Sequence, residues 1–359
     1  MKHRSWLIVS ILVIALMLIT ACQPKAAATS APAAEKPKFK VALITPNPLG
    51  DRSFIDSAAR GMERARTELG VQADVIETKG VNEHEAAMRG AIQKGYDLVL
   101  GLALDPQLML DLAAEFPNQK FGAPGGLLTD KPLPANLASN QVEVHEGSFL
   151  VGVIAGMMTD SKVVGAVVGG QSPDMDQFTF GYKQGVLAVC PDCKVLVSYL
   201  GFDFSNPTLG LETALAQYDQ NADIVYQVAG RSGEGVISAS AERDKYSIGV
   251  DSNQDFIQPG HVIVSMIKRT DTAVFQIIKN AVDGTFKGGF FLMGLADEAA
   301  GLSWDEGSTT FAEKGPKEMV DKLPAVKAKV DDYRKQILAG TLKVCNTLKE
   351  DPAICDPLK

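Results

Sequence analysis

Histidine is scarce in this sequence, and residues that would build a catalytic centre do not cluster. Only 4 histidines occur in 359 residues, and His84, His145 and His261 fall in different segments of the chain. The sequence places none of them beside an activated nucleophile, and no group of aspartates suggests a metal. The sequence therefore predicts that the protein is not an enzyme and needs no cofactor or metal.

Positive charge is also in short supply. The chain has 35 lysines and arginines against 43 aspartates and glutamates, a formal net charge of -8. Loss of Lys2 and Arg4 with a leader would make it -10 (-8 minus 2). Because no basic stripe interrupts this balance, binding of nucleic acid as a polymer is disfavoured.

Long apolar runs are absent except near the beginning, where residues 6–21 follow a basic start and lead to Cys22. A membrane-spanning helix needs roughly 20 apolar residues, so an uncleaved anchor is one interpretation. However, the small residues Thr20 and Ala21 before Cys22 resemble a lipobox. We expect residues 1–21 to be a lipoprotein signal peptide and the Cys22 thiol to be acylated. Both interpretations place the remaining chain outside the cytoplasm.

A segment of low complexity follows the cysteine. Residues 22–37 are mostly Ala, Pro, Ser, Thr and Lys, with no apolar periodicity, which is typical of a flexible tether. Residues 38–359 have ordinary globular composition and are more than one compact core usually accommodates. Two lobes are therefore expected.

Four cysteines remain beyond Cys22, an even number that predicts disulfides outside the cytoplasm. Cys190 and Cys193 have the spacing of a thiol redox motif, but they follow a helical stretch and precede a strand. A structural turn disulfide is favoured over a thiol oxidoreductase site. Cys345 and Cys355 are expected to pair with each other, and zinc is disfavoured because no histidine accompanies either pair.

The globular part alternates short apolar runs with longer amphipathic ones, which predicts an α/β fold with parallel sheets. Strands of the first series are predicted at 40–45, 73–77, 98–102, 120–123 and 138–142, with helices at 53–69, 83–94 and 107–116. The second series has strands at 163–168, 194–199, 224–228, 246–250 and 262–265, with helices at 146–158, 176–189, 207–218 and 235–241. The remainder has a helix at 270–282, a strand at 289–292 and a final helix at 317–338.

These leftover elements indicate a chain that crosses between lobes more than once. We expect lobe 1 to comprise 38–143 and about 268–300, lobe 2 to comprise 144–267 and about 301–345, and 346–359 to form a tail. Ligands of open α/β sheets bind beyond the carboxyl ends of the strands, so two facing lobes would enclose a cleft.

Four segments, in order along the chain, resemble the basic membrane protein family of ABC importer substrate-binding lipoproteins. They are GDRSF at 50–54, EGSF at 146–149, AGRSGEGV at 229–236, and IGVDSNQ at 248–254 followed by SMIK at 265–268. The resemblance covers nearly all of 38–343. It implies a periplasmic-binding-protein-like (type I) fold and capture of a small molecule, with a purine nucleoside favoured. It also implies an ABC permease as partner, a monomer, and an extracytoplasmic, lipid-anchored location.

The resemblance also assigns ligand-binding residues. A purine has a flat π-face and a ribose has vicinal hydroxyls, so a receptor needs aromatic rings and a charged hydrogen-bonding pair. Phe54 and Phe204 match the stacking rings, and Phe202 is a rival for the second. Asp251 would accept hydrogen bonds from the sugar, and Lys268 would neutralise it and donate to the same sugar. The alternatives are core packing for Phe54 and a hinge salt bridge without ligand contact for the charged pair.

Four further residues have two interpretations each. Gly235 and Val236 open a helix whose backbone amides would bond the ligand, or they form a simple tight turn. Asp105 would contact the ligand from the first lobe, or cap a helix. Asp51 has the same two possibilities.

The sequence departs from the nucleoside-binding pattern at two positions. An acidic residue that reads the base edge is usual where this chain has Thr45, and an asparagine is usual where it has Ile55. The side-chain amide of Asn47, with one donor group and one acceptor, would compensate for the missing acidic residue. The preferred base is therefore open, and the alternative is a chemosensory or surface lipoprotein of the same fold with another ligand.

Overall fold

The computed structural model describes residues 38–355. The predicted signal peptide, the acylation at Cys22 and the predicted tether, as well as residues 356–359, lie outside the described residues. Among the helices of residues 38–355, none has the length and apolar character needed to span a membrane.

The described chain forms two six-stranded sheets. Their strands are β1 Lys40–Thr45, β2 Gln72–Glu77, β3 Leu98–Gly101, β4 Lys120–Pro124, β5 Leu137–Val142, β6 Val163–Val168, β7 Lys194–Tyr199, β8 Ile224–Val228, β9 Tyr246–Asp251, β10 Val262–Lys268, β11 Gly289–Met293 and β12 Ala300–Leu302. The first sheet has the order β11-β5-β4-β3-β1-β2, and the second has the order β12-β10-β9-β8-β6-β7. All pairs are parallel except β10 with β12.

Helices connect the strands. They are α1 Phe54–Leu69, α2 Val81–Gln93, α3 Pro106–Glu115, α4 His145–Met158, α5 Pro173–Val189, α6 Pro207–Tyr218, α7 Ser232–Glu242, α8 Thr270–Val282, α9 Thr310–Lys314, α10 Lys317–Val320, α11 Leu323–Leu338 and α12 Pro352–Cys355. Short 3-10 turns occur at Leu295–Asp297 and Ser303–Glu306.

Helices cover both faces of the first sheet because its central strand is apolar on both faces. Val41 and Leu43 of β1 pack with α1 and α8, whereas Ala42 and Ile44 pack with α2 and α3. All four side chains are fully buried. We call this sheet and these four helices lobe 1, and the second sheet with its helices lobe 2.

The chain passes between the lobes three times. It leaves the first sheet after β5 to begin α4, and it returns after β10 to form α8 and β11. It then crosses again to β12, which pairs antiparallel with β10. These crossings bring residues that are distant in sequence to one interlobe surface.

The structure corrects the prediction of one continuous helix over 317–338. The helix is divided into α10 and α11, and Pro324 lies in the first turn of α11. A proline ring in a continuous helix would clash with the carbonyl of the residue four positions earlier, here Val320. The three-residue β12 was also missed, because so short a strand shows no periodicity.

Both cysteine pairs are disulfide-bonded. Cys190 and Cys193 close the turn between α5 and β7 with Cα atoms 5.3 Å apart, and Cys345 bonds Cys355 with Cα atoms 5.4 Å apart. The segment between the last two cysteines packs on lobe 2, where Thr347 Oγ1 donates to the Pro173 carbonyl at 2.6 Å.

Candidate functional site

A cleft of about 370 Å³ lies between the lobes at the carboxyl ends of the strands. Its volume falls within the range of roughly 300 to 1,000 Å³ that is usual for small-molecule sites. The cleft is lined mainly by apolar side chains, with a few charged groups from both lobes. The lining residues used below are Asn47, Asp51, Phe54, Gly125, Asp174, Phe178, Phe202, Phe204, Asp251 and Lys268.

Phe54 provides an aromatic surface from lobe 1. It is the first residue of α1, directly beyond the β1 loop, and its ring is half-buried. The ring lies on Gly125, where a Cβ atom would come within 2.7 Å of Phe54 Cζ. Gly125 also has a φ of +90°, so glycine is required there both for the turn and for the ring.

Phe202 and Phe204 provide the aromatic surface of lobe 2, from the loop between β7 and α6. Each ring lies against a glycine that follows β6, Phe204 on Gly169 and Phe202 on Gly170. Phe204 is half-buried, whereas Phe202 is 60% exposed and has a φ of +68°. Both rings line the cleft, so the structure brings both sequence candidates to the site.

Asp251 and Lys268 form the charged pair at the ends of β9 and β10. Asp251 is 7% exposed and Lys268 is 5% exposed. Ser53 Oγ, from lobe 1, donates to Asp251 Oδ2 at 2.5 Å. Burial raises the pKa of Asp251 to about 6, although Lys268 and the Ser53 hydroxyl both oppose this rise.

Lys268 also contacts the aromatic rings of the cleft. Its Nζ atom lies 4.9 Å from the ring centroid of Phe54 and 5.6 Å from that of Phe178. A buried ammonium between two ring faces is a cation–π arrangement, which holds the amine beside the surface on which a flat ligand would stack.

Sequence reasoning missed the contribution of α5 to the cleft. The helix begins at Pro173, three residues before its predicted start, and Ser172 caps it by accepting from the Met175 N–H. The cleft therefore includes Asp174 in the first turn and Phe178 one turn later. The Ser-Pro pair at 172–173, four residues beyond β6, was the signal that would have found this start.

Two of the predicted ligand contacts lie elsewhere. Gly235 packs against the backbone of α6, where a Cβ atom would lie 2.6 Å from Leu211 N, and Val236 of α7 is fully buried in the cluster that α7 forms with α6 and the second sheet. Neither residue lines the cleft. The close approach of two helices, rather than contact with a ligand, explains the glycine.

The two aspartates with alternative roles both cap helices. Asp105 accepts from Leu108 N at 2.8 Å at the start of α3 and does not line the cleft. Asp51 lines the cleft, but its two oxygens accept from the N–H groups of Ser53, Ile55 and Asp56 at 2.9 to 3.0 Å. Burial raises the pKa of Asp51, and these three hydrogen bonds oppose that shift.

Asn47 is accessible from the cleft, whereas Thr45 is not. Asn47 lines the cleft, as its compensating role requires. Thr45 is fully buried, and its Oγ1 donates to the Asn47 carbonyl at 2.8 Å. Thr45 therefore stabilises the loop, and it offers no acceptor to the cleft.

Polar contacts bridge the lobes beside the cleft. Arg60 Nη2 donates to Ser252 Oγ at 2.8 Å, and Gln254 Nε2 donates to the Arg52 carbonyl at 3.1 Å. Together with Ser53 and Asp251, these contacts form an interlobe latch between the start of α1 and the loop after β9.

Comparison with known proteins gives the family. The profile of the family described as ABC transporter substrate-binding protein PnrA-like matches residues 38–332. An uncharacterized lipoprotein of Pyrococcus abyssi is 31% identical over 300 residues, which cover 78% of this chain and 72% of the relative. Basic membrane protein A of Borreliella burgdorferi is 28% identical over 268 residues, 73% of this chain and 78% of that protein.

Solved structures share the fold. An ABC transporter system solute-binding protein from Aeropyrum pernix K1 has a TM-score of 0.75 at 28% identity, over 85% of this chain and 93% of that chain. A second solute-binding protein of an ABC transporter system, from Conexibacter woesei, has a TM-score of 0.64 at 23% identity, over 86% of this chain and 99% of that chain. This likeness supports the fold alone. With two sheets of this topology, a cleft between them and the family match over most of its length, the chain belongs to the PnrA-like family of ABC transporter substrate-binding proteins.

Proposed function

We propose that the protein captures a purine nucleoside between its lobes and delivers it to a membrane permease without changing it chemically. The observation that carries this proposal is the convergence of aromatic rings from opposite lobes, Phe54 and Phe204, on one cleft that also contains Asp251 and Lys268. A nucleoside joins a flat apolar ring system to a polar sugar, and the cleft offers partners for both.

The aromatic side accounts for the base. Rings contributed by both lobes bury the two faces of a purine only when the lobes are closed, so stacking favours closure. Phe178 and Lys268 enlarge this surface next to Phe54. A free sugar has no flat face, so this part of the site contributes little to its binding.

The charged pair accounts for the sugar. Asp251 accepts hydrogen bonds and Lys268 donates them, which together satisfy vicinal hydroxyls. Because both side chains are nearly buried, a polar ligand that bonds them compensates their lost solvation. Charge-assisted bonds of this kind contribute about 1.5 to 3 kcal/mol each.

The transport role completes the proposal. We place the protein outside the cytoplasm as a monomer, anchored through lipid on Cys22, with the closed form docking on an ABC permease. Two observations support this location: a relative is named a lipoprotein and others are named basic membrane proteins. Closure is then a population shift that both lobes drive through the bound ligand.

The proposal is tested by thermal unfolding of the protein with inosine, guanosine, adenosine, thiamine or ribose. A ligand at about 100 times its Kd stabilises the folded state by about 2.7 kcal/mol, so at least one nucleoside should raise the melting temperature. Free ribose should leave it unchanged. Phe204→Ala should weaken nucleoside binding by about 1 to 3 kcal/mol through lost stacking.

The matched control is Phe290→Ala, which removes a phenylalanine that is 45% exposed on β11 and does not line the cleft. Its nucleoside affinity should equal that of the unmodified protein. Equal stabilisation by ribose and by nucleosides would contradict the stacking role, and release of hypoxanthine from inosine would contradict passive capture.

A further inference from the structure

We infer that Asp174 is the residue that reads the edge of the base, and that it selects nucleosides whose base presents an N–H donor. The inference rests on the proposed function and specifies it further. Asp174 lies in the first turn of α5 in lobe 2, and its side chain is half-buried and lines the cleft.

One oxygen of this carboxylate is already occupied. Gln141 Nε2 donates to Asp174 Oδ1 at 2.9 Å, and Gln177 Nε2 donates to the same oxygen at 3.3 Å. Among the described residues no donor reaches Oδ2. A carboxylate oxygen only accepts hydrogen bonds, so the group that completes this site must be a donor on the ligand.

Asp174 is linked through Gln141 to the glycines on which the tip of the Phe54 ring rests. Gln141 is 4% exposed and packs on Gly126, and the adjoining Gly125 supports the tip of the Phe54 ring at Cζ. Asp251, in contrast, is bonded to Ser53, the residue before that phenylalanine. Asp174 is still near enough to raise the pKa of Asp251, so we assign the base to the Gly125 side of the Phe54 ring and the sugar to the Asp251 side.

The arrangement is complete only when the lobes are closed. Gln141 belongs to β5 of lobe 1, whereas Asp174 and Gln177 belong to lobe 2. The hydrogen bond from Gln141 therefore fixes the carboxylate only across the closed cleft. Its role takes the place of the acidic residue that the family pattern has at Thr45, which here is buried and bonded to its own loop.

The ligand class follows from the chemistry of the base edge. Inosine and guanosine present N1–H, and guanosine and adenosine present amino N–H groups. Purine riboside has the same fused ring and sugar but lacks the 6-oxo group and the N1–H, so its N1 is a bare acceptor that an acidic oxygen repels. Comparing inosine with purine riboside in both the unmodified protein and Asp174→Asn therefore separates the proposed hydrogen bond from contacts to the 6-oxo group.

The test is calorimetric titration of the unmodified protein and of Asp174→Asn with these two nucleosides. The unmodified protein should bind inosine at least about tenfold more tightly than purine riboside, the equivalent of about 1.4 kcal/mol. In the variant, the amide oxygen stays with Gln141 and Gln177, so the amino group faces the ligand. Inosine should then lose about tenfold or more in affinity, and purine riboside should lose none.

The control is Asp111→Asn, an exposed aspartate on α3 that bonds only Gln107 among the described residues and lies outside the cleft lining. It should bind both nucleosides as the unmodified protein does. Equal affinities of the unmodified protein for inosine and purine riboside would overturn the inference even if Asp174→Asn failed to fold. So would an equal loss for both ligands in a folded variant, because that outcome indicates a structural role.

Different outcomes would contradict nucleoside binding and the assignment of Asp174. If no nucleoside binds the unmodified protein, the proposed function is wrong and this inference falls with it. If nucleosides bind without regard to the base edge, only the assignment of Asp174 is wrong.

Discussion

Asp251 combines an unusual backbone conformation with a nearly buried carboxylate. Its φ is +65°, a left-handed conformation that aspartate tolerates better than most residues other than glycine. The carboxylate is nearly buried, and Lys268 and the Ser53 hydroxyl only partly offset its desolvation. Such a group destabilises the folded protein when it is ionised, and a bound sugar would offset that cost.

The unfavourable burial of the ionised Asp251 carboxylate predicts that the free energy of unfolding depends on pH. The pKa of Asp251 is about 6 in the folded state, against about 3.9 for an unfolded aspartate, so the folded state binds the proton more tightly. The contribution of Asp251 to the free energy of unfolding should therefore fall as pH rises from about 4 to about 6, then stay constant. The full change is up to about 3 kcal/mol, since one pKa unit corresponds to about 1.4 kcal/mol.

Urea denaturation of the unmodified protein and Asp251→Asn, without added nucleoside, measures this contribution. The variant should gain stability relative to the unmodified protein across that pH range, and the gain should level off near neutrality. Asp111→Asn serves as the exposed control and should show no such pH-dependent difference. A constant difference between Asp251→Asn and the unmodified protein from pH 4 to 7 would show that burial of the charge is not costly.

At the scale of elements, lobe 2 depends on the close approach of α4 and α5. The helix α4 is apolar on nearly all sides, and two of its glycines, Gly152 and Gly156, face the backbone of α5. A Cβ atom on Gly152 would collide with the Tyr182 carbonyl, and one on Gly185 would collide with the Phe149 carbonyl. The apolar run predicted the helix, but only the packed pair explains the glycines.

Substitution of glycine by alanine should have opposite effects on stability at Gly152 of α4 and at Gly90 of α2. Gly152→Ala should destabilise the protein by about 1 to 3 kcal/mol, because the added methyl group overpacks a backbone contact. Gly90→Ala in α2 meets nothing within 4 Å and should stabilise it by about 0.5 to 1 kcal/mol through helix propensity. Urea denaturation measures both, and a Gly152→Ala protein as stable as the unmodified one would contradict the packing argument.

At the scale of the whole molecule, the interlobe latch sets how readily the cleft opens. Its hydrogen bonds join Arg60 to Ser252, Gln254 to the backbone of Arg52, and Ser53 to Asp251. These bonds favour the closed arrangement before any ligand contributes. A ligand then needs to shift the equilibrium by less, which raises its apparent affinity.

Arg60→Ala should shift the equilibrium towards open forms. Small-angle X-ray scattering without nucleoside should show a larger radius of gyration than for the unmodified protein, and saturating inosine should restore the smaller value. Inosine affinity should fall by less than about tenfold, since one hydrogen bond contributes about 0.5 to 1.5 kcal/mol. Arg64→Ala is the control, because Arg64 contacts Glu68 and Phe275, both within lobe 1. Identical radii for the two variants would contradict the latch.

The amino-acid sequence by itself determined the order and type of most elements, and the strands β1, β6, β7 and β8 begin and end where their patterns predicted. It also predicted the convergence of Phe54, Asp251 and Lys268 on one cleft through family resemblance. Local patterns succeed here because helix and strand periodicity depends on hydrogen bonds and burial within a few residues.

Only the tertiary structure decided which polar groups meet across the lobes. Ser53 and Asp251 are separated by 198 positions in the sequence, and Gln141 and Asp174 belong to different lobes. It also decided that Gly235 and Val236 serve helix packing and that Asp105 is a cap. Such contacts depend on how the chain crosses between lobes and on how closely the sheets approach, and no local periodicity records either quantity.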